Sequence, residues 1–178
     1  MNHRRSFLKG SVALASAISL PALAKTAQAA PGERTLRLYN THTGETVRSV
    51  FWAEGQFIPD ALQDINKVLR DHRNNKIAPI DPQLLVLLDE VSAKFGDNQL
   101  VHVISSYRSP ESNAKLHANS SGVAKHSMHM DGKAIDIRLP GKDLAQLRKA
   151  AMAMRVGGVG YYPDSQFVHM DTGRVRYW

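Results

Sequence analysis

Apolar and polar positions alternate in two short stretches early in the chain, and this alternation predicts β-strands. The first runs from Thr35 to Thr41, and the second, from Thr46 to Trp52, is rich in β-branched and aromatic residues. The segment His42-Thr43-Gly44-Glu45 between them is typical of a hairpin turn. The chain is therefore expected to begin its folded part with an antiparallel strand pair.

Apolar residues at helical spacing predict four helices, one of them short. The clearest start is Asp81-Pro82, since an aspartate cap followed by a first-turn proline is typical of a helix N-terminus. The four are expected from Pro59 to about Asn74, from Asp81-Pro82 onward, from Pro110 to about Ala118, and from Asp143 to Arg155.

Four further apolar runs predict the remaining strands: Leu100 to Ser105, Ala134 to Leu139, Val159 to Tyr162, and Phe167 to Asp171. Strands mixed with helices in this way predict an α+β fold, with an antiparallel sheet backed by helices.

Alternation within two of these strands brings chemistry-bearing side chains to one face. Because Ile135 and Ile137 should enter the core, Asp136 points to the other side. In the last strand, His169 and Asp171 share one face. If the two strands are neighbours, Asp136 and His169 project into one cleft, which His129 could reach from the preceding loop.

Two imidazoles and one carboxylate suit a zinc ion and leave a fourth position for water. The alternative is that His129 is a loop histidine and Asp136 a surface carboxylate, without a metal. The chain of 178 residues has no cysteine, which excludes disulfides, a thiol nucleophile and cysteine-ligated zinc. Any metal must therefore be held by His, Asp or Glu.

The formal net charge of +7 is unevenly distributed. Four of these charges come from Arg4, Arg5, Lys9 and Lys25, in a segment of 29 residues without acids. The remaining balance is mild, and no basic stripe is interleaved with aromatic residues, so nucleic acid is not an expected partner.

Residues 1–29 have the layout of an export signal: a basic start, an apolar run from Val12 to Leu23, and small residues that allow cleavage after Ala24 or Ala29. The stretch Arg4-Arg5-Ser6-Phe7-Leu8-Lys9 resembles the twin-arginine signal, the alternative being an ordinary secretory leader. The apolar run is short and rich in Ala and Ser, so no stable membrane span is expected. A mature domain of residues 30–178 outside the cytoplasm is predicted.

The segment Ser127-x-His129-x-x-Gly132-x-Ala134-x-Asp136 is the first of three separated motifs in the chain. It matches the signature SxHxxGxAxD and resembles the M15 zinc peptidases, the family of D-Ala-D-Ala peptidases and murein endopeptidases related in fold to the hedgehog signalling domain. The segment 104–109 resembles the family's SGYRS strand, and 167–173 its metal-binding final strand. The segments 157–163 and 40–45 resemble the murein endopeptidase branch, so the resemblance covers nearly all of residues 34–178.

The resemblance implies one zinc ion held by His129, Asp136 and His169. It also implies that Arg108 lies beside the metal, where it binds a substrate carboxylate or stabilises an oxyanion; a salt bridge is the structural alternative. The implied function is a periplasmic endopeptidase that hydrolyses peptidoglycan cross-links, with bonds to meso-diaminopimelate expected. The alternatives are a D,D- or L,D-carboxypeptidase and a zinc-holding module that binds peptidoglycan without hydrolysing it.

The chain departs from the family pattern at Gln166, where many relatives carry an acid that acts as general base. A neutral amide cannot accept the proton of water. Asp171 is the expected substitute, either as the base or as a carboxylate that orients His169 or the catalytic water. Alternatively, Asp171 has no catalytic task. His126 is a further candidate base, the favoured alternative being a solvated loop histidine.

Overall fold

The structure, a computed structural model, describes residues 32–120 and 122–178. The predicted leader, 1–29, and its two cleavage positions lie outside the described residues. Within the described part, eight strands form one sheet: β1 Arg34–Asn40, β2 Thr46–Ala53, β3 Gln56–Phe57, β4 Leu100–Ser105, β5 Ala134–Arg138, β6 Gly158–Tyr162, β7 Phe167–Asp171 and β8 Arg176–Tyr177.

Four α-helices accompany the sheet: α1 Pro59–Val68, α2 Pro82–Ala93, α3 Pro110–Asn119 and α4 Leu144–Ala153. A 3₁₀ turn, Met128–Asp131, precedes β5. The search of the described residues finds no helix with both the length and the apolar character needed to cross a bilayer.

The strand order is β3-β2-β1-β4-β5-β7-β6-β8. The pairs β1–β4 and β6–β8 are parallel and the other five pairs are antiparallel, so the sheet is mixed, not wholly antiparallel as the sequence suggested. The parallel β1–β4 pair is possible because α1 and α2 lie in the long connection between the two strands. The predicted α+β class is confirmed.

One face of the sheet carries the hydrophobic core. Ile135 and Ile137 of β5 and Val168 and Met170 of β7 are fully buried there, as their alternation predicts. The helices α1, α2 and α4 pack against the sheet and contribute the rest of the core, including Ile65, Leu84, Leu88 and Leu147. The intervening positions of β5 and β7 therefore lie on the opposite face.

Helix α1 ends earlier than the sequence predicts. It stops at Val68, with Leu69 as its C-cap, and does not reach Asn74. The fully buried Asp71 carboxylate accepts hydrogen bonds from the backbone N–H groups of Arg73 and Ser109, at 3.0 and 2.9 Å. Such side-chain–backbone bonds compete with helical ones, and here they tie the chain after α1 to the segment that carries Arg108.

A candidate metal centre on the open face of the sheet

The three predicted metal ligands meet on the face of the sheet opposite the core. Asp136 of β5 and His169 of β7 are paired directly across the two strands, and His129 lies on the 3₁₀ turn before β5. Asp136 Oδ2 is 3.4 Å from His129 Nε2, and Asp136 Oδ1 is 2.9 Å from His169 Nδ1. One donor atom from each residue lies within 4.8 Å of the other two, and all three side chains are buried.

The orientation of His129 is fixed by the strand beside it. Its Nδ1 atom is 2.7 Å from the carbonyl oxygen of Ser106. Because a carbonyl can only accept, Nδ1 must donate, and Nε2 is the ring nitrogen that faces Asp136. The carbonyl of His129 in turn accepts from the backbone N–H of Arg108 at 3.1 Å, so the turn and the arginine segment are tied together.

Gly132 ends the turn that carries His129, and it explains the glycine of the motif. Its φ of +65° is in the left-handed region, and a Cβ there would lie 2.2 Å from the carbonyl oxygen of Pro79. Either condition alone disfavours a side chain, so the close approach of the turn to Pro79 requires glycine.

Asp171 lies behind His169. Its Oδ2 atom is 3.0 Å from His169 Nε2, the ring nitrogen that does not face Asp136. The carboxylate is fully buried, and it also accepts from the backbone N–H groups of Gly158 and Gly173 and from two N–H groups of Arg176. Although burial opposes ionisation, these donors hold the pKa of Asp171 well below its usual range.

The two carboxylates on either side of His169 favour the charged form of its imidazole. Burial by itself lowers the pKa of His169, but hydrogen bonds and charge attraction from Asp136 and Asp171 outweigh it and raise this pKa to about 9. Burial likewise opposes ionisation of Asp136, yet the charges and hydrogen bonds of His129 and His169 keep its pKa below the usual range. The pocket thus stabilises an anionic carboxylate and a positive charge beside it, which is the electrostatic environment that a divalent cation needs.

Arg108 is buried next to this group, with only 9% of its surface exposed. Its Nη1 atom reaches Asn113 Oδ1 at 3.4 Å, and its Nε has no hydrogen-bond partner. Burial lowers the pKa of the guanidinium, and attraction from Asp136 opposes that shift. Within residues 32–120 and 122–178, Arg108 makes no ion pair of the kind that a structural salt bridge would require.

A cleft of about 820 Å³ opens above these residues. Its floor contains His129, Asp136, His169 and Arg108, and one wall is formed by the segment before the 3₁₀ turn, from Gly122 to Ser127. The other wall is formed by side chains from the hairpin of β6 and β7 and from the last residues of the chain, namely Tyr162, Phe167, Arg174, Arg176 and Trp178.

The other residues considered from the sequence lie around this cleft or away from it. Gln166 is in the exposed β6–β7 turn, where its amide donates to the carbonyl of Pro163. His126 lines the cleft, and its Nε2 is 3.1 Å from Asp131 Oδ2. His72 lies outside the cleft, where it is half-buried and its ring stacks on that of His42, with centroids 3.8 Å apart.

Sequence reasoning missed the contacts that come from distant parts of the chain. The carbonyl of Ser106 that orients His129, and the Arg176 guanidinium that holds Asp171, carry no side-chain signal in the sequence. The ring of Trp178 lies 5.3 Å from that of His169, a contact that no motif in the sequence indicates. Two glycines at alternate positions of β6, Gly158 and Gly160, are the signal that could have indicated close packing there.

An α+β sheet that brings a His–Asp–His group together beside a buried arginine has the architecture expected of the M15 class of metallopeptidases. The chain also matches, over residues 28–178, the model of a family described as "Peptidoglycan L,D-endopeptidase MepK". The protein therefore belongs to the MepK family of M15 peptidases.

Curated relatives agree with this assignment. Peptidoglycan L,D-endopeptidase MepK of Escherichia coli K12 is 45% identical over 177 residues, which is 99% of this chain and 97% of that protein; the Shigella flexneri protein of the same name gives the same values. Probable peptidoglycan L,D-endopeptidase MepK of Haemophilus influenzae is 38% identical over 99% of this chain and 95% of its own length. No solved structure matches the chain, so the expected hedgehog and D-Ala-D-Ala peptidase likeness in fold stays a prediction.

Proposed function

We propose that this protein is a zinc-dependent peptidoglycan endopeptidase that hydrolyses peptide cross-links, with bonds to meso-diaminopimelate as the target. The observation that carries the proposal is the convergence of His129, Asp136 and His169 beside the buried Arg108 in one open cleft. The names of the MepK relatives supply the substrate class and favour an L,D bond.

His129 Nε2, an Asp136 oxygen and His169 Nδ1 would hold the ion. Two neutral imidazoles and one carboxylate, with an open fourth position, are the donor set of catalytic zinc sites. When bound there, zinc polarises the scissile carbonyl and lowers the pKa of water.

Arg108 would bind the substrate on the floor of the cleft. A buried guanidinium with an unused Nε–H is costly unless a ligand completes its hydrogen bonds. A carboxylate next to the scissile bond, or the oxygen that becomes negative during hydrolysis, provides such a ligand.

Asp171 would orient His169 and would not act as the base. Its buried carboxylate already accepts from His169, two backbone N–H groups and Arg176, so no lone pair is directed into the cleft. A carboxylate behind a metal-binding histidine fixes the ring and increases its basicity. The proton-transfer role then falls to His126, which lines the cleft and is held by Asp131.

The predicted location is the periplasm, where the substrate is found. The twin-arginine leader, residues 1–29 with cleavage after Ala24 or Ala29, remains a prediction from the sequence.

The experiment is incubation of the zinc-loaded protein with purified sacculi and with muropeptide dimers cross-linked by either L,D or D,D bonds. Products are identified by mass spectrometry. We expect conversion of L,D dimers to monomers, abolished by a chelator and by His169→Ala but not by His102→Gln, which changes a histidine of β4 outside the cleft. Loss of terminal D-alanine alone would indicate a carboxypeptidase. Binding to sacculi without any product would indicate the non-hydrolysing module.

A further inference from the structure

The wall of the cleft beside His169 is built on two glycines. Strand β6 presents Gly160 directly opposite His169. A Cβ at Gly160 would lie 2.7 Å from the indole ring of Trp178, so the ring occupies the space that a side chain would fill. Gly158 accommodates Arg176 in the same way, with a Cβ position 2.6 Å from the guanidinium. The absence of a side chain at Gly160 therefore lets the ring of Trp178 lie beside that of His169.

Trp178 is held rigidly in this place. Its backbone N–H donates to Val159 at 3.2 Å, and its carbonyl accepts from Tyr161 at 3.0 Å. Its indole Nε1 donates to the hydroxyl of Tyr162 at 2.8 Å. Although every one of these polar atoms is bonded within the protein, 45% of the residue is still exposed, and it lines the cleft. A fixed aromatic ring exposed beside a reaction centre is pre-organised to contact a ligand.

The aromatic surface continues along the hairpin. Tyr162 stacks on Phe167 with ring centroids 4.5 Å apart and planes inclined by 21°. We call Trp178, Tyr162 and Phe167 the aromatic wall. It adjoins the ring of His169 at one end, where the Trp178 and His169 centroids are 5.3 Å apart.

The charges around the aromatic wall identify the part of the substrate that fits it. Three arginines line the cleft, Arg108, Arg174 and Arg176, against one side-chain carboxylate, Asp136, which belongs to the metal centre. Arg176 is already ion-paired with Asp171, so the positive charges that remain for a ligand are those of Arg108 and Arg174. Within the described part of the chain, the Arg174 guanidinium has no hydrogen bond or ion pair. An anionic ligand is therefore favoured over a neutral one. In peptidoglycan, the stem peptides carry carboxylates, whereas the disaccharide units of the glycan strand are neutral once the peptide is attached.

We propose that the aromatic wall is the binding surface for the stem peptide of the substrate, with an aliphatic segment of the peptide against Trp178 and a peptide carboxylate facing Arg174. This inference rests on the proposed function for the identity of the substrate. Trp178 is a substrate-binding residue in this arrangement, so its removal weakens binding of the peptide and leaves the metal centre intact.

Fluorescence tests the contact directly, because the chain has only two tryptophans. Trp52 lies in β2, packed edge-on against Phe57 at 4.7 Å, and Trp52→Phe makes Trp178 the only indole. This zinc-loaded variant is titrated with the uncross-linked tetrapeptide L-alanyl-γ-D-glutamyl-meso-diaminopimelyl-D-alanine. A parallel titration uses the GlcNAc–MurNAc disaccharide with its lactyl carboxyl amidated. We expect a saturable change in emission with the peptide alone. A change with the disaccharide alone, or no change at peptide concentrations that inhibit hydrolysis, would overturn the proposal.

Measurements of KM and kcat distinguish a substrate-binding role of Trp178 from a role in packing against His169. We expect Trp178→Ala to raise KM for the L,D dimer about tenfold, which corresponds to one lost aromatic contact, with kcat and the zinc Kd nearly unchanged. Gly160→Ala should act in the same direction, because it displaces the ring without removing it. Tyr177→Phe is the matched control, since it alters the neighbouring aromatic residue, whose hydroxyl donates to Met152, outside the cleft.

Other outcomes of the kinetics would overturn the proposal. A zinc affinity that falls by the same factor as kcat/KM would show that Trp178 only supports His169. If Trp178→Ala does not fold, KM, kcat and the zinc Kd are measured for Trp178→Phe and Gly160→Ala instead. The fluorescence titration needs no turnover, so failure of the proposed endopeptidase activity is distinguishable from failure of this inference.

Discussion

His169 Nε2 and Asp171 Oδ2 lie 3.0 Å apart, on the side of the imidazole opposite to the Nδ1 atom that faces Asp136. This arrangement separates the two roles that the sequence left open for Asp171. A residue behind the ring is placed to fix the orientation and basicity of His169, and we propose that Asp171 does this instead of taking a proton from water in the cleft.

We expect Asp171→Asn to weaken zinc binding by roughly 10- to 100-fold, because the ring of His169 loses its anionic partner. The measurement is a competition titration with a chromogenic zinc chelator. At saturating zinc, much of the lost activity should return, since the metal centre itself is intact.

The opposite pattern would identify Asp171 as the base. In that case Asp171→Asn would keep its zinc affinity and lose kcat, and added zinc would not restore activity. His126→Gln provides the comparison, since it should lower kcat while leaving the zinc Kd unchanged.

Removal of a proposed ligand should abolish stoichiometric metal. We expect Asp136→Asn to retain less than about a tenth of the zinc bound by the unchanged protein after dialysis, since a neutral amide is a poor ligand for zinc. Elemental analysis by mass spectrometry measures this. His102→Gln should retain about one ion per chain, and equal zinc contents in the two variants would contradict the assigned ligands.

Zinc should also stabilise the fold, because the three donors lie on separate elements: the 3₁₀ turn, β5 and β7. A ligand present at about 1,000 times its Kd stabilises the native state by about 4 kcal/mol. Chelation is therefore expected to lower Tm by several degrees in a calorimetric scan, and readdition of zinc should restore it. The Tm of Asp136→Asn should not rise when zinc is added, because this variant does not retain the ion.

Arg108→Met tests whether the arginine serves the substrate or the fold. We expect kcat/KM to fall about 100-fold, as when one donor to a developing oxyanion is removed. The free energy of unfolding should not fall by more than about 1 kcal/mol, because burial of the poorly bonded guanidinium outweighs its attraction to Asp136. Urea unfolding of the zinc-loaded protein measures the second quantity, and a large destabilisation would favour a structural role.

Local patterns were enough to predict the face that carries the site. Ile135, Ile137, Val168 and Met170 alternate with the polar positions of β5 and β7, so the direction of Asp136 followed from the period of a strand. That β5 and β7 are neighbours was a hypothesis, because nothing local encodes which strands pair.

Contacts between distant segments could not be predicted. His129 is oriented by a carbonyl 23 residues away, and any residue type supplies a carbonyl. The predicted end of α1 was wrong for a related reason. Leu69 is buried and continues the apolar spacing of the helix, so the sequence pattern runs on past Val68. The hydrogen bond that the Asp71 carboxylate accepts after the helix comes from the distant Ser109. Competing long-range hydrogen bonds decided both cases.

His72 makes stability depend on pH outside the metal centre. Burial, and then the nearby charge of Arg73, lower the pKa of His72 from 6.5 to about 4. The unfolded chain therefore binds a proton that the folded protein excludes between these values, and the folded state loses stability as the pH falls through this range. The stability that comes from keeping His72 neutral is therefore fully present above about pH 6.5.

We expect His72→Phe, which keeps an aromatic ring against His42, to reduce this dependence. Between pH 7 and pH 5.5, the free energy of unfolding of the unchanged protein should fall by about 1 kcal/mol more than that of the variant. Urea unfolding at the two pH values measures the difference, and zinc binding contributes equally to both proteins. His117→Gln removes an exposed histidine of α3 and should keep the original slope. If His72→Phe also keeps that slope, His72 is protonated in the folded protein, and its stacking on His42 does not exclude the charge.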